Sequence, residues 1–166
     1  APPCACSATT YGMASASNPS DWSARIREAR RLLEDVAKLT PAEQKKVVFI
    51  GDFNGFSPAE RAHLEEGGEL ARFFTMLDKR NASNNLNEGK LDYRGIQVFL
   101  GAGYDDVIHA QRLAGSPYPG TFPTELRLEE EMGRDRRLDY VFLPAGLAAE
   151  VISAEVIRDE VTAQLS

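Results

Sequence analysis

Val47-Val48-Phe49-Ile50-Gly51-Asp52-Phe53-Asn54 is the stretch that decides how this chain is read. Four consecutive apolar residues are too few for a buried helix and rich in strand formers. They predict a central buried strand, closed by Gly51. Such a strand delivers an acid and an amide, Asp52 and Asn54, to its C-terminal edge, where open α/β sheets tend to bind ligands. Residues two apart on an extended segment point to the same side, so both can act on one ligand, with Gly51 letting the chain turn. Asp and Asn are also common turn formers at strand ends. These eight residues alone leave both readings open.

Working outward, Asn18 and Pro19 suit the cap and first position of a helix. Trp22, Ile26, Ala29, Leu33 and Val36 then recur at helical spacing. Arg25, Arg27, Arg30 and Arg31 fill the rest of that helix and read as its solvated face rather than as a row of phosphate ligands. Thr40-Pro41-Ala42-Glu43 has the form of a capping box, with a short helical turn before Lys45. Ser57-Pro58-Ala59-Glu60 repeats that form and predicts a helix to about Leu77, loosened by Gly67-Gly68. Asn81 to Gly89 reads as a polar loop, Tyr93 to Leu100 as a helix, and Ser116 to Pro123 as an extended loop. Glu129 to Arg137 is charged and expected at the surface. Leu138 to Leu143 and Val151 to Arg158 read as strands, connected through Pro144-Ala145-Gly146. Strands that alternate with helices and then crowd together predict an α/β layered domain with a mixed sheet. Residues 1–17 lack periodicity and stand apart from a domain at 18–166.

A length of 166 residues suits one domain with a real core. The net charge of −6 weighs against a general nucleic-acid binder, whose affinity rests on many phosphate contacts. It agrees with carboxylates gathered around a divalent cation. No apolar run approaches the roughly 20 residues of a bilayer span, and no basic start leads into an apolar stretch as in a signal peptide. Cys4 and Cys6, with no His nearby, read as free thiols.

Two later segments change the balance. Gly120-Thr121-Phe122-Pro123 and Arg137-Leu138-Asp139-Tyr140-Val141-Phe142 follow Gly51-Asp52-Phe53-Asn54 in an order that closely resembles the endonuclease/exonuclease/phosphatase superfamily. Gly103-Tyr104-Asp105-Asp106-Val107 fits the segment that precedes the threonine motif there. The resemblance runs from about Trp22 to the last residue. It implies a DNase I-like fold, a two-sheet β-sandwich flanked by helices, of which these residues form the C-terminal part. It also implies metal-assisted attack of water on a phosphate ester, with Mg²⁺, or Mn²⁺, stabilising charge on the phosphoryl oxygens and leaving group. In that scheme Asp52 positions or deprotonates the water and helps hold the metal, while Asn54 donates to a phosphate oxygen. Asp139 would orient a catalytic histidine and raise its basicity, and Tyr104, Thr121 and Arg137 would lie at the substrate. The plainer reading of Asp139 is a buried acid paired with Arg136 or Arg137.

The chain also departs from the family's pattern. Nothing ahead of residue 18 supplies the Asn and Glu of the family's early strands. The middle motif, Asn-Thr-His-Leu or similar, is best matched by Ala8-Thr9-Thr10-Tyr11, with Thr10 in the histidine's place as a substrate contact. The strand at Val151 to Arg158 should lead to Ser-Asp-His, and that motif would begin where Leu165-Ser166 stand. His63 and His109 fall elsewhere and read as ordinary histidines. The expectation is a phosphoesterase with half of its site in these residues, inactive by itself, poor at holding Mg²⁺ and prone to self-association through exposed sheet. The alternatives are a non-catalytic binding module that keeps the fold, or an unrelated α/β domain. Residues 78–95 and 112–136 would form the substrate loops, where Tyr118, Phe122 and Arg127 suit a nucleic-acid base or a lipid head group alike. The acidity favours small phosphate esters or lipid head groups over long DNA.

Overall fold

Helix α1 (Asp21–Ala37) opens the part of the chain described in the computed structural model, residues 21–81, 85–112, 118–122 and 133–157, with side chains from residue 24 onward. Thr10, Cys4, Cys6, the cap at Asn18-Pro19, Arg127 and the Trp22 side chain lie outside the described residues. The apolar stripe of α1 does what its spacing predicts: Ile26 and Ala29 are buried, and Leu32 and Leu33 pack against the same core. Helix α2 (Pro41–Gln44) starts from a formed capping box. Thr40 Oγ1 accepts from the Glu43 amide, and the Thr40 amide donates to Glu43 Oε2 at 2.9 Å.

Strand β1 (Phe49–Asp52) follows. The second capping sequence does not start one long helix. Ser57 Oγ accepts from the Ala59 amide, and a 3₁₀ turn (Pro58–Glu60) leads into the short α3 (Arg61–Glu65). Gly67 and Gly68, both at positive φ, then break the path before α4 (Glu69–Asn81). The expected polar loop at 81–89 contains a small hairpin, β2 (Leu86–Asn87) and β3 (Lys90–Leu91), turned at Glu88-Gly89, both at positive φ. Helix α5 (Arg94–Gly101) lies within one residue of the expected bounds, Tyr93 to Leu100. Strand β4 (Tyr104–Asp106), α6 (Val107–Gln111), β5 (Asp139–Pro144) and α7 (Ala145–Ala148) complete the described elements.

The result is a mixed α+β fold whose sheets, among the described residues, are antiparallel rather than mixed. The larger sheet has the order β1-β5-β4, so β5 and not β1 is its middle strand. The Val47 run was expected to be buried on both faces, but only one face is covered. Phe49 points inward, whereas Ile50 is 75% exposed and Val48 45% exposed. Helices α1 and α5 cover the inner face. There Phe53 meets Phe99, Phe142 and Tyr140 edge-on, with ring centroids 5.2, 5.2 and 5.9 Å apart. A second cluster (Phe56, Leu64, Leu70, Phe74, Leu86, Leu91) fills the space under α3, α4 and the hairpin.

Two further expectations are corrected. Residues 151–157 are not a strand. A strand needs a partner for its N–H and C=O groups, none pairs with this stretch among the described residues, and Ile152 is 96% exposed. The charged run ending at Arg137 is not all surface, because Arg136 and Arg137 are both buried. No described helix is long and apolar enough to cross a membrane.

Gly51 sits at φ +143° opposite Tyr140, with nothing within 4 Å of an added Cβ, so its requirement is conformational rather than spatial. Gly51→Ala should therefore cost about 1–3 kcal/mol in chemical denaturation. Gly146→Ala, in open space on α7, should cost nothing. A Gly51→Ala protein as stable as wild type would show that this strand end tolerates an ordinary backbone.

Candidate active site

Antiparallel register builds the site. Pairing of Phe49 with Phe142, Ile50 with Val141 and Gly51 with Tyr140 brings Asp52 directly opposite Asp139 at the end of β1 and the start of β5. Directly opposed residues have Cβ atoms about 4.5–5.5 Å apart and share a face, here the exposed one. Beyond Asp52 the ladder takes one more bond, from the Phe53 amide to the Leu138 carbonyl at 2.9 Å, and the chain then turns. Asn54 joins Asp52 through that turn and not through extended alternation. Its amide donates to Asp52 Oδ1 at 2.7 Å, and its backbone adopts φ +46°, which Asn tolerates better than most residues.

The Asp52 carboxyl is pushed above the ordinary carboxylate range. Partial burial is the main cause; the Asn54 amide opposes it, Asp139 adds to it, and Arg25 draws it back. Arg25 was read as part of a solvated face, yet it is half-buried, donates to Asn85 Oδ1 at 3.4 Å and lies close enough for Asp52 to feel its charge. No local pattern marks it, because the approach of α1 to Gly95 at the start of α5 decides its position.

Thr121 reaches this rim, but its hydroxyl oxygen serves the backbone. It accepts from the amides of Leu138 at 3.0 Å and Asp139 at 3.3 Å. Gly120 before it must be small, since an added Cβ would lie 1.9 Å from Asp135 Oδ1. Arg137, expected at the substrate, is fully buried. Its Nε donates to Glu60 Oε1 at 2.7 Å, and its Nη1 and Nη2 form a fork on Asp106. Its partners are thus Glu60 and Asp106, not Asp139. Burial is the largest single influence and opposes its charge, but the Asp106 hydrogen bond together with the charges of Asp106 and Glu60 outweighs it and holds its pKa up. Arg136 lies over the rings of Phe122 and Phe74, at 4.6 and 5.3 Å, with its pKa lowered to about 10 by burial. Tyr104 is also misplaced by the motif reading. It is buried in the core opposite Pro144, five residues along β5 from Asp139 or about 17 Å at strand rise. Neither described histidine meets Asp139. His63 Nε2 contacts the Asp135 carbonyl at 2.9 Å while its ring stacks on Tyr118, and His109 is exposed in the last turn of α6.

The rim therefore offers two opposed carboxylates, an amide and a nearby guanidinium. Among the described residues no three His, Cys, Asp or Glu side chains cluster as a metal cage. Magnesium, however, is commonly held by one or two carboxylates together with water and phosphate oxygens. Asp52 and Asp139 are hard oxygen donors of that kind.

Like charges placed opposite each other weaken a sheet by about 0.2–1 kcal/mol. Asp139→Asn should accordingly raise the thermal midpoint at neutral pH by about 1–4 °C. The sign with pH follows from Asp52. The folded state binds its proton more tightly than the unfolded state, whose pKa is near 3.8. That contribution is full below the unfolded pKa and is lost as pH rises through the folded value. Melting curves across the acid-to-neutral range should show this fall in wild type and a shallower one in Asp139→Asn. An unchanged or lower midpoint in the variant would mean that the two carboxylates do not repel.

Compared with protein-family models, curated proteins and solved structures, the chain matches none of them.

Proposed function

We propose that the chain is a metal-dependent phosphoesterase of the endonuclease/exonuclease/phosphatase type, acting on a phosphate ester of a small molecule, a lipid head group or a nucleic acid. In this proposal the three-stranded sheet is one layer of a DNase I-like sandwich. The single observation that supports the reading most is the register that sets Asp52 opposite Asp139 with Asn54 beside them. Three motif residues from two remote stretches, assigned to one site by resemblance, lie together at one sheet end. A structural acid would gain nothing from facing another across a ladder, whereas a cation-assisted site needs that concentration of charge.

Partial burial raises the Asp52 pKa above the ordinary carboxylate value, the direction that suits a base. It would take a proton from water as the water oxygen bonds to phosphorus and the ester oxygen leaves. Asn54, fixed in its turn, would donate to a non-bridging phosphate oxygen, and Asp52 with Asp139 would hold Mg²⁺ or Mn²⁺. When bound, that ion supplies positive charge to the phosphoryl oxygens and the leaving group. Arg25 adds a fixed positive charge on the Asn85 side of the same rim.

The test is hydrolysis of bis(p-nitrophenyl) phosphate with Mg²⁺ or Mn²⁺, by these 166 residues and by the longest natural form of the protein. Metal-dependent turnover is the expected outcome. Asp52→Asn should lower turnover by about 10²–10⁴-fold with the fold intact. Wild-type turnover by that variant would make Asp52 structural. No turnover of any phosphomonoester or diester by either form would favour the non-catalytic binding module.

A further inference from the structure

Three consecutive backbone amides lead into Asp139, and each of them donates to a side-chain oxygen. The Arg137 amide donates to the Tyr118 hydroxyl at 3.0 Å, and the amides of Leu138 and Asp139 donate to Thr121 Oγ1 at 3.0 and 3.3 Å. Two side-chain oxygens of one short segment, 118–122, thus replace the ladder along 137–139. That segment is itself tied down. The Thr121 and Phe122 amides donate to the Arg136 carbonyl at 3.1 and 2.9 Å, and the Arg136 amide returns a bond to Phe122 at 2.7 Å. The Tyr118 hydroxyl proton goes to Glu60 Oε2 at 3.1 Å, and Glu60 is held by the buried Arg137. On the other side, the Leu138 carbonyl accepts from Phe53, the residue after Asp52.

We infer that Thr121 and Tyr118 are positioning residues, whose hydroxyl oxygens set the backbone of Asp139 and so the separation and direction of its carboxylate relative to Asp52. This rests on the proposed phosphoesterase site and assigns Thr121 a task different from touching substrate. A main-chain partner would extend the ladder at one fixed spacing. A side-chain oxygen can accept two successive amides and let β5 begin where the acid is needed. Misplacement of a reacting group by about 1 Å can cost about 100-fold in rate without weakening substrate binding. Loss of these oxygens should therefore act on turnover.

Thr121→Val keeps the shape and removes the acceptor, whereas Thr121→Ser keeps the acceptor. In the form of the protein that hydrolyses bis(p-nitrophenyl) phosphate with Mn²⁺, Thr121→Val should lower kcat by about 10–100-fold with KM unchanged. Thr121→Ser should recover most of that loss, and Tyr118→Phe should lower kcat by a smaller factor. Wild-type kcat in Thr121→Val, an equal loss in Thr121→Ser, or a rise in KM with kcat kept would each overturn the inference; the last would make Thr121 a substrate contact. Should Thr121→Val lose its far-UV signal, Tyr118→Phe decides by the same split between kcat and KM. A wild-type protein inactive on every phosphate ester would sink the phosphoesterase reading and this inference with it, whereas an active protein indifferent to both substitutions sinks this inference alone.

Discussion

Arg137 keeps a full positive charge out of water between Glu60 and Asp106, and three parts of the chain are bound to that charge. Glu60 comes from the 3₁₀ turn after β1, Asp106 from the end of β4, and Arg137 from the approach to β5. Burial raises the Glu60 pKa, and the guanidinium draws it back. Asp106 also caps α6 by accepting from the His109 amide. Removing one member of such a cluster strands the others, a loss of about 3–5 kcal/mol in comparable cases. The penalty falls on every alternative register of β5, since a slip of one residue would turn Arg137 to the other face and carry Asp139 away from Asp52.

Much of this was legible in the chain and some of it could not be. The strand expected at Leu138 to Leu143, the helical stripe of α1, the helix expected at Tyr93 to Leu100 and the Thr40 capping box rest on local rules, and each forms. Motif order pointed to Asp52, Asn54 and Asp139, and the register brings them to one rim. The edge position of β1, the hairpin at residues 86–91 and the lack of pairing at 151–157 depend on tertiary partners that no local pattern names. Arg137 and Tyr104 were misread for a common reason. Polar atoms in a motif suggest ligand contact, whereas here they are satisfied or covered inside the protein. The Ser57 box shows the same effect on a smaller scale: Glu60 does not return to its cap because Arg137 and Tyr118 claim its carboxylate.

Departures from local preference gather at one place. Gly51 at φ +143°, Asn54 at φ +46° and two facing carboxylates all occur within four residues of the end of β1. Among the described residues one other non-glycine residue, Glu88 in the turn between β2 and β3, lies at positive φ. Local conflicts are tolerated where a site gains from them and surrounding structure can hold them in place. The aromatic packing of Phe53 against Phe99, Phe142 and Tyr140, directly under this turn, provides that support.

The contacts that close this rim join distant parts of the chain: Tyr140 donates to the Gly55 carbonyl across 85 positions, and Arg137 reaches Glu60 across 77. Contacts of that span form only after a large loop has been closed, and they slow folding more than they change final stability. α5, β4 and α6 all lie in the intervening sequence, and β5 takes its place between β1 and β4 only when that loop is closed. Asp52 and Asp139 therefore face each other only once that loop has closed, and a chain still emerging from the ribosome carries its two acids far apart.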